Sequence, residues 1–99
     1  MTQFSEETKA KIAGLCKKHR VRELSLFGSR VRNDYRPDSD FDFLVEFLPN
    51  AGIGLIEYSR IQIDLSEIMQ QKVDLVTKTG LKPHVRENVL SESRVIYEV

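Results

Sequence analysis

The sequence has little that could tie the chain together covalently or anchor it in a membrane. It contains one cysteine in 99 residues, so Cys16 can form neither an internal disulfide nor a zinc site of cysteine pairs. The longest apolar stretches, such as residues 41–47, are broken by carboxylates and fall far short of the ~20 apolar residues of a membrane span. Neither a basic segment nor a long apolar run follows Met1, so we expect no signal peptide. These absences predict a cytoplasmic protein that has no membrane partner.

Net charge is absent as well, because fifteen basic side chains balance fifteen acidic ones. Proteins that bind nucleic acid in general rely on an excess of positive charge, so we do not expect direct general nucleic-acid binding. A content of 40% hydrophobic and 30% charged residues excludes a disordered or collagen-like chain. The length suits one domain over residues 1–99.

The alternation of apolar and polar residues predicts helices and strands in a regular order. A helix begins after Ser5, which has the side chain of an N-cap, and ends in a basic cluster. The other expected elements are a strand over 21–27, a short helix over 29–33, a polar turn over 34–39, a strand over 40–47, a helix over 55–71, a strand over 72–78, a short helix after Gly80 and an edge strand over 95–99. In the strand over 40–47, Phe41, Phe43, Val45 and Phe47 share one face. In the helix over 55–71, the positions at helical spacing are Leu55, Ile56, Ser59, Ile63, Ile68 and Met69.

Two features of the first helix allow a functional and a structural interpretation. Cys16 could be a nucleophile, but no activating group is identifiable near it, so we interpret it as a small core residue. The basic cluster at residues 17–20 could bind phosphate, although a solvated helix end explains it more simply.

The segment from residue 26 to residue 45 combines residue types that suit phosphate chemistry. Gly28 has no Cβ, so the backbone there can approach a triphosphate closely, and Ser29 adds a hydroxyl at the start of a helix. Asp40 and Asp42 are two residues apart in a strand, so both carboxylates project from one face, roughly 7 Å apart at Cα. Two carboxylates that close repel each other unless a cation lies between them, and Mg²⁺ with substrate phosphates is the usual solution.

Each of these features also has a simpler explanation. A Gly-Ser pair is common in turns, and two aspartates on a strand are more often a solvated face than a metal site. Asp74 lies inside an apolar strand, where it is either an outward-facing residue or a third carboxylate that strand pairing brings beside the other two.

A calcium-binding loop is the one alternative that the spacing excludes. Asp38, Asp40 and Asp42 resemble its beginning, but Phe43 stands at its glycine position and Pro49 at the position of its bidentate glutamate.

Gly28-Ser29, ten intervening residues and Asp40-Phe41-Asp42 together resemble the signature of the DNA polymerase β-like nucleotidyltransferase superfamily. They are similar in particular to the minimal nucleotidyltransferase (MNT) proteins, the antitoxins of HEPN/MNT toxin–antitoxin pairs. The similarity extends through the VDLVT strand and the LKPHVRENVL helix, so it covers most of the chain. It implies an α/β (α+β) nucleotidyltransferase fold, with a short mixed β-sheet flanked by helices.

The resemblance also implies roles for six residues. Asp40, Asp42 and Asp74 would be the catalytic acids and would hold Mg²⁺, with two ions expected. Gly28 and Ser29 would hold the triphosphate of ATP, and Arg30, which matches the family's usual GSR, would have a secondary role there.

We therefore expect a Mg²⁺-dependent nucleotidyltransferase that transfers AMP from ATP to a tyrosine hydroxyl of a HEPN-domain toxin. Such a protein acts as the antitoxin and forms a hetero-oligomer with its partner. Two alternatives stay open at this point. One is an antitoxin that neutralises its partner by binding alone, and the other is an enzyme that transfers a nucleotide to a small molecule.

Overall fold

A computed structural model of the chain describes residues 4–32, 34 and 36–99. Its elements are α1 (Glu6–Lys18), β1 (Val21–Phe27), α2 (Ser29–Arg32), β2 (Phe41–Phe47), α3 (Leu55–Met69), β3 (Val73–Thr77), α4 (Pro83–Glu92) and β4 (Arg94–Glu98), with a 3₁₀ turn over Lys78–Gly80. This is the predicted order of elements. The predicted last residue of the short helix, Asn33, and one residue of the predicted turn, Tyr35, lie outside the described residues.

The four strands form one sheet in the order β3-β2-β1-β4. β1 pairs antiparallel with both β2 and β4, whereas β2 pairs parallel with β3. The parallel pair requires a crossover connection, which α3 provides. The expected short mixed sheet flanked by helices is therefore confirmed, and the closing strand does lie at an edge.

The main core lies on one face of the sheet, under α1 and α3. β2 directs Phe41, Phe43 and Val45 into it, as the alternation predicted, and α1 contributes Ile12 and Cys16. Burial raises the pKa of the Cys16 thiol to about 12, so the thiol stays protonated at neutral pH. This confirms the interpretation of Cys16 as a core residue.

The buried face of α3 differs in part from the predicted one: Ile68 and Met69 pack against the core as expected, but other predicted positions do not. Leu55 and Ile56 are 82% and 88% exposed, and Ile63 is also exposed. The residues that pack against the sheet are Tyr58, Ile61, Leu65, Ile68 and Met69. Both sets recur at helical spacing, so the pattern alone does not decide between two adjacent apolar arcs.

The two ends of α1 are held by specific polar contacts. The Ser5 hydroxyl accepts a hydrogen bond from the Thr8 amide at 3.1 Å, which confirms the N-cap. The interpretation of the basic cluster as a solvated end is wrong for His19, which is buried. Its Nδ1 lies 2.7 Å from a carboxylate oxygen of Glu57, and Arg20 contacts the same carboxylate at 3.3 Å. These contacts join the end of α1 to the start of α3.

The opposite face of the sheet is more polar. Lys78 bridges Glu23 at 2.9 Å and Glu46 at 3.2 Å there. α4 has no buried residue, and its Arg86 donates to the Lys78 carbonyl at 2.7 Å. Among the helices of residues 4–32 and 36–99, none is long and apolar enough to cross a membrane.

Candidate active site

The connection from β1 to α2 brings backbone and carboxylate into close contact at Gly28. This residue has a φ of +83°, a conformation that side chains other than glycine rarely adopt. A Cβ built there would overlap Oδ2 of Asp42. Glycine is therefore required both by the turn and by the carboxylate that lies against it.

Strand pairing brings the predicted acidic residues to one region. Asp42 of β2 and Asp74 of β3 are partners in the parallel register, and Phe27 of β1 is the partner of Asp42 on its other side. Partners in a register share a face, so both carboxylates point to the same side of the sheet. Asp40 immediately precedes β2 and, two residues before Asp42, shares that side. Lys72 lies 3.9 Å from the Asp40 carboxylate.

The electrostatics of this cluster are most evident at Asp42. Its pKa is raised above the usual range, first by partial burial and then by the charges of Asp74 and Asp40. Glu92 raises it further, whereas Arg32 opposes the shift. The site therefore has an excess of negative charge.

The side chains fit a divalent cation as oxygen donors but do not by themselves enclose one. In residues 4–32, 34 and 36–99, no group of three or more His, Cys, Asp or Glu side chains is arranged to hold a metal ion. Mg²⁺ typically uses one or two carboxylates and completes its shell with water and substrate phosphates. An open cluster of carboxylates suits this mode of Mg²⁺ binding.

Ser29 begins α2 directly beside this cluster and is half-buried. Within the part of the chain that the structure describes, its hydroxyl has no hydrogen-bond partner.

The Arg30 side chain contacts the Phe41 ring and the loop before Asp40. Its guanidinium lies 4.1 Å from the centre of the Phe41 ring and donates to the Ser39 carbonyl at 2.8 Å. The side chain is almost fully buried. These contacts hold the loop that leads to Asp40, so they give Arg30 a positioning role and lend no support to the predicted phosphate role.

Two further residues belong to this region. Glu92, the last residue of α4, accepts a hydrogen bond from the Gly28 amide at 2.9 Å. Arg32 donates to both oxygens of the same carboxylate at 3.2 Å and contacts Asp34 at 3.3 Å. The sequence contains no local signal for Glu92, which is 64 residues from Gly28.

Known proteins resemble this chain in sequence and in fold. A model of the nucleotidyltransferase domain matches residues 9–96. Protein adenylyltransferase MntA of Thermococcus cleftensis is 38% identical over 79 residues, which cover 78% of this chain and 74% of that protein.

Solved structures share the fold. One, provisionally described as a minimal nucleotidyltransferase, is 33% identical and superposes with a TM-score of 0.74, covering 95% of this chain and 98% of that chain. Another is a complex of a tri-AMPylated HEPN toxin of Shewanella oneidensis with its MNT antitoxin. It is 18% identical, with a TM-score of 0.68 over 95% of this chain and 72% of that chain, so it shows likeness of fold alone.

The sequence motif, the mixed sheet and the family match over residues 9–96 agree with one another. This chain belongs to the nucleotidyltransferase domain family.

Proposed function

We propose that this chain is a Mg²⁺-dependent protein adenylyltransferase, a single domain over residues 1–99 that transfers AMP from ATP to a tyrosine hydroxyl of a HEPN-type toxin and so acts as its antitoxin. The observation that carries the proposal is the register pairing of Asp42 with Asp74, directly beside Gly28 and Ser29. The name of the Thermococcus relative supports the adenylyl group as the one transferred.

The three aspartates have distinct positions in this proposal. Asp40 and Asp42 would hold Mg²⁺ between the protein and the triphosphate, and Asp74 would complete the set on the neighbouring strand. Bound Mg²⁺ lowers the pKa of an acceptor hydroxyl and stabilises negative charge on phosphate oxygens. The raised pKa of Asp42 supports this role, because a site with surplus negative charge favours a cation.

The residues of the β1–α2 turn bind and orient the nucleotide. The Ser29 hydroxyl and the Gly28 backbone amide, which donates to Glu92 in this structure, would donate to phosphate oxygens. This fixes the triphosphate so that its α-phosphorus faces the acceptor.

Transfer is an in-line displacement at the α-phosphorus. The acceptor oxygen forms a bond to that phosphorus while the bond to the oxygen bridging the α- and β-phosphates breaks, and pyrophosphate leaves with that electron pair. The acceptor proton passes to the Asp74 carboxylate or to water. Asp74 is exposed on β3, one of the two edge strands of the sheet, so an acceptor from another protein can reach it.

A protein acceptor suits the structure better than a small molecule. The described residues form a sheet with short connections and no additional lobe that would enclose a small acceptor. The fold is shared with an antitoxin that forms a complex with a tri-AMPylated HEPN toxin. The chain would therefore work in a hetero-oligomer with such a toxin.

The test is to incubate the protein with Mg²⁺, ATP labelled in its α-phosphate, and the protein encoded by the neighbouring gene, which the proposal expects to be a HEPN-domain toxin. We expect label on a toxin tyrosine, located by mass spectrometry. Asp40→Asn should abolish labelling, and Asp38→Asn is the matched control because Asp38 is exposed two residues earlier. A stable complex without label would establish an antitoxin that acts by binding alone. Label on small molecules but not on the toxin would establish the other enzymatic alternative.

A further inference from the structure

Glu92 is bound by the β1–α2 turn in the way that an anionic ligand would be. Its Oε2 accepts the Gly28 amide hydrogen at 2.9 Å, and both of its oxygens lie 3.2 Å from Nη1 of Arg32. The Glu92 side chain is 25% exposed, so most of it is enclosed by these contacts. We call this arrangement of Gly28, Arg32 and Glu92 the clasp.

The negative charge of Glu92 in the clasp is electrostatically unfavourable next to the acidic residues of the candidate site. Glu92 adds a negative charge to a region that already contains Asp40, Asp42 and Asp74, and it is one of the causes of the raised pKa of Asp42. Among residues 4–32, 34 and 36–99, the Arg32 guanidinium and the Gly28 amide are the groups that contact the Glu92 carboxylate and compensate for its charge. A phosphate oxygen presents the same negative charge and the same acceptor geometry to an arginine and a backbone amide.

α4 is held in place weakly apart from this contact. No residue of α4 is buried, and its apolar residues Val85 and Leu90 are 37% and 38% exposed. Near its other end, Arg86 donates to the Lys78 carbonyl. Releasing Glu92 therefore exposes little apolar surface.

We infer that Glu92 is an internal competitor of the triphosphate, and that Arg32 rather than Arg30 is the arginine that receives the triphosphate when Glu92 leaves. The inference rests on the proposed function in one respect, since it takes the β1–α2 turn as the site of the triphosphate. Binding of a nucleotide then opens the clasp and loosens the end of α4. A clasp that is closed in nine of ten molecules weakens the apparent affinity about tenfold.

The experiment compares binding of inorganic tripolyphosphate and of ATP, each with Mg²⁺, by calorimetry. Glu92→Gln should bind both about tenfold more tightly than the wild type, because the competing charge is gone. Glu87→Gln is the matched control, since it removes one negative charge from the exposed part of the same helix and should leave the affinity unchanged. Arg32→Gln should weaken binding, and the Glu92→Gln gain should vanish when Arg32 is also replaced. If Glu92→Gln lowers the melting temperature, Glu92→Asp, which keeps the charge but is one methylene shorter, provides a second variant and should also bind more tightly.

A second measurement detects the opening directly. Amide hydrogen exchange in residues 89–93 of the wild type should accelerate when tripolyphosphate and Mg²⁺ are added, and Glu92→Gln should show fast exchange without them. Equal affinities of the wild type, Glu92→Gln and Glu87→Gln would overturn the inference, and so would no binding by any of them. Neither readout uses AMP transfer. A clasp that responds to tripolyphosphate in a protein that labels no acceptor would therefore refute the proposed function alone.

Discussion

At Gly28, one missing Cβ serves the backbone and the carboxylate cluster at the same time. The φ of +83° turns the chain from β1 into α2, and the space where a Cβ would lie is taken by the Asp42 carboxylate. A substitution there strains the turn and displaces an acidic residue of the candidate site. Gly14 of α1 offers the opposite case, because nothing lies within 4 Å of a Cβ built on it.

Gly28→Ala should destabilise the fold by about 1–3 kcal/mol, the usual magnitude for a residue forced into a sparsely populated conformation. Displacement of Asp42 should also weaken binding of Mg²⁺ and ATP. Gly14→Ala should instead stabilise the protein by about 0.5–1 kcal/mol, because alanine suits an exposed helix interior better than glycine. Urea denaturation of both variants measures this. If the free energy of unfolding changes in the same direction in both variants, the structural explanation of Gly28 is contradicted.

Asp42→Asn should raise the melting temperature in metal-free buffer at neutral pH while abolishing transfer. The pKa of Asp42 is raised in the folded state, so its contribution stabilises the fold at pH below the unfolded value and is lost as the pH rises through the raised value. At neutral pH the ionised Asp42 carboxylate destabilises the folded state, and replacement by asparagine removes this destabilisation. Thermal melts at several pH values should show that the variant lacks this loss, whereas Asp38→Asn should behave as the wild type does. A lower melting temperature for Asp42→Asn at neutral pH would contradict the stated cause of the shift.

At the scale of the elements, the candidate site depends on α3, the connection between its two acidic strands. This helix carries the chain from β2 to β3 and so makes the parallel pair that puts Asp74 opposite Asp42. Its start is held by His19, the residue that follows α1, whose Nδ1 lies against Glu57. A carboxylate only accepts hydrogen bonds, so that nitrogen carries the proton.

Glu57→Gln should reduce the loss of stability that the wild type suffers in acid. The hydrogen bond from His19, followed by the charge of Arg20, lowers the pKa of Glu57. A lowered pKa in an acid means that its contribution is present above the unfolded value and is lost as the pH falls through the lowered one. Urea denaturation at neutral pH and at a pH below the ordinary pKa of glutamate tests this. Glu67→Gln on the same helix is the control, and an equal acid-side loss in both variants would contradict the role of the His19–Glu57 pair.

The elements were predictable from local periodicity, whereas the packing of α3 and part of the site were not. Strand alternation placed Phe41, Phe43 and Val45 in the core, but α3 has two apolar arcs, and only contact with the sheet decides that Ile61 and Leu65 are buried. The motif pointed to Asp40 and Asp42 because they lie close together in sequence at the start of a strand, whereas Asp74 comes beside them only through strand pairing. Glu92 depends on a contact across 64 residues, for which no local pattern exists.

The two arginines of α2 could not be told apart from sequence. Arg30 is directed by the Phe41 ring and by the loop carbonyls, whereas Arg32 reaches Glu92, and both outcomes depend on tertiary contacts.

At the scale of the whole molecule, the proposed nucleotide and acceptor regions lie on neighbouring strands of the sheet. The β1–α2 turn lies at the middle strands, while Asp74 lies on the edge strand β3 and is exposed. In the proposed function, the acceptor hydroxyl of a partner protein would therefore approach from the exposed side of β3.

Asp74→Asn should leave the affinity for ATP within a few-fold of the wild type and lower transfer by roughly 10²-fold or more, the scale of losing a positioned base. Loss of rate without loss of ground-state binding is typical of an interaction made in the transition state. Calorimetry with ATP and a labelled-transfer assay measure the two effects, and a pull-down with the toxin shows whether docking persists. Normal transfer would make Asp74 an outward-facing strand residue, and loss of docking would assign it to the interface.

The central claim is that Asp40 and Asp42 form a magnesium–nucleotide site with the Gly28–Ser29 turn, and calorimetry of ATP binding with and without Mg²⁺ tests it most directly. ATP should bind much more weakly when Mg²⁺ is chelated, because the triphosphate then meets uncompensated carboxylates. The fold should persist in both conditions, which circular dichroism verifies. Equal affinity for ATP in the presence and in the absence of Mg²⁺ would contradict the claim.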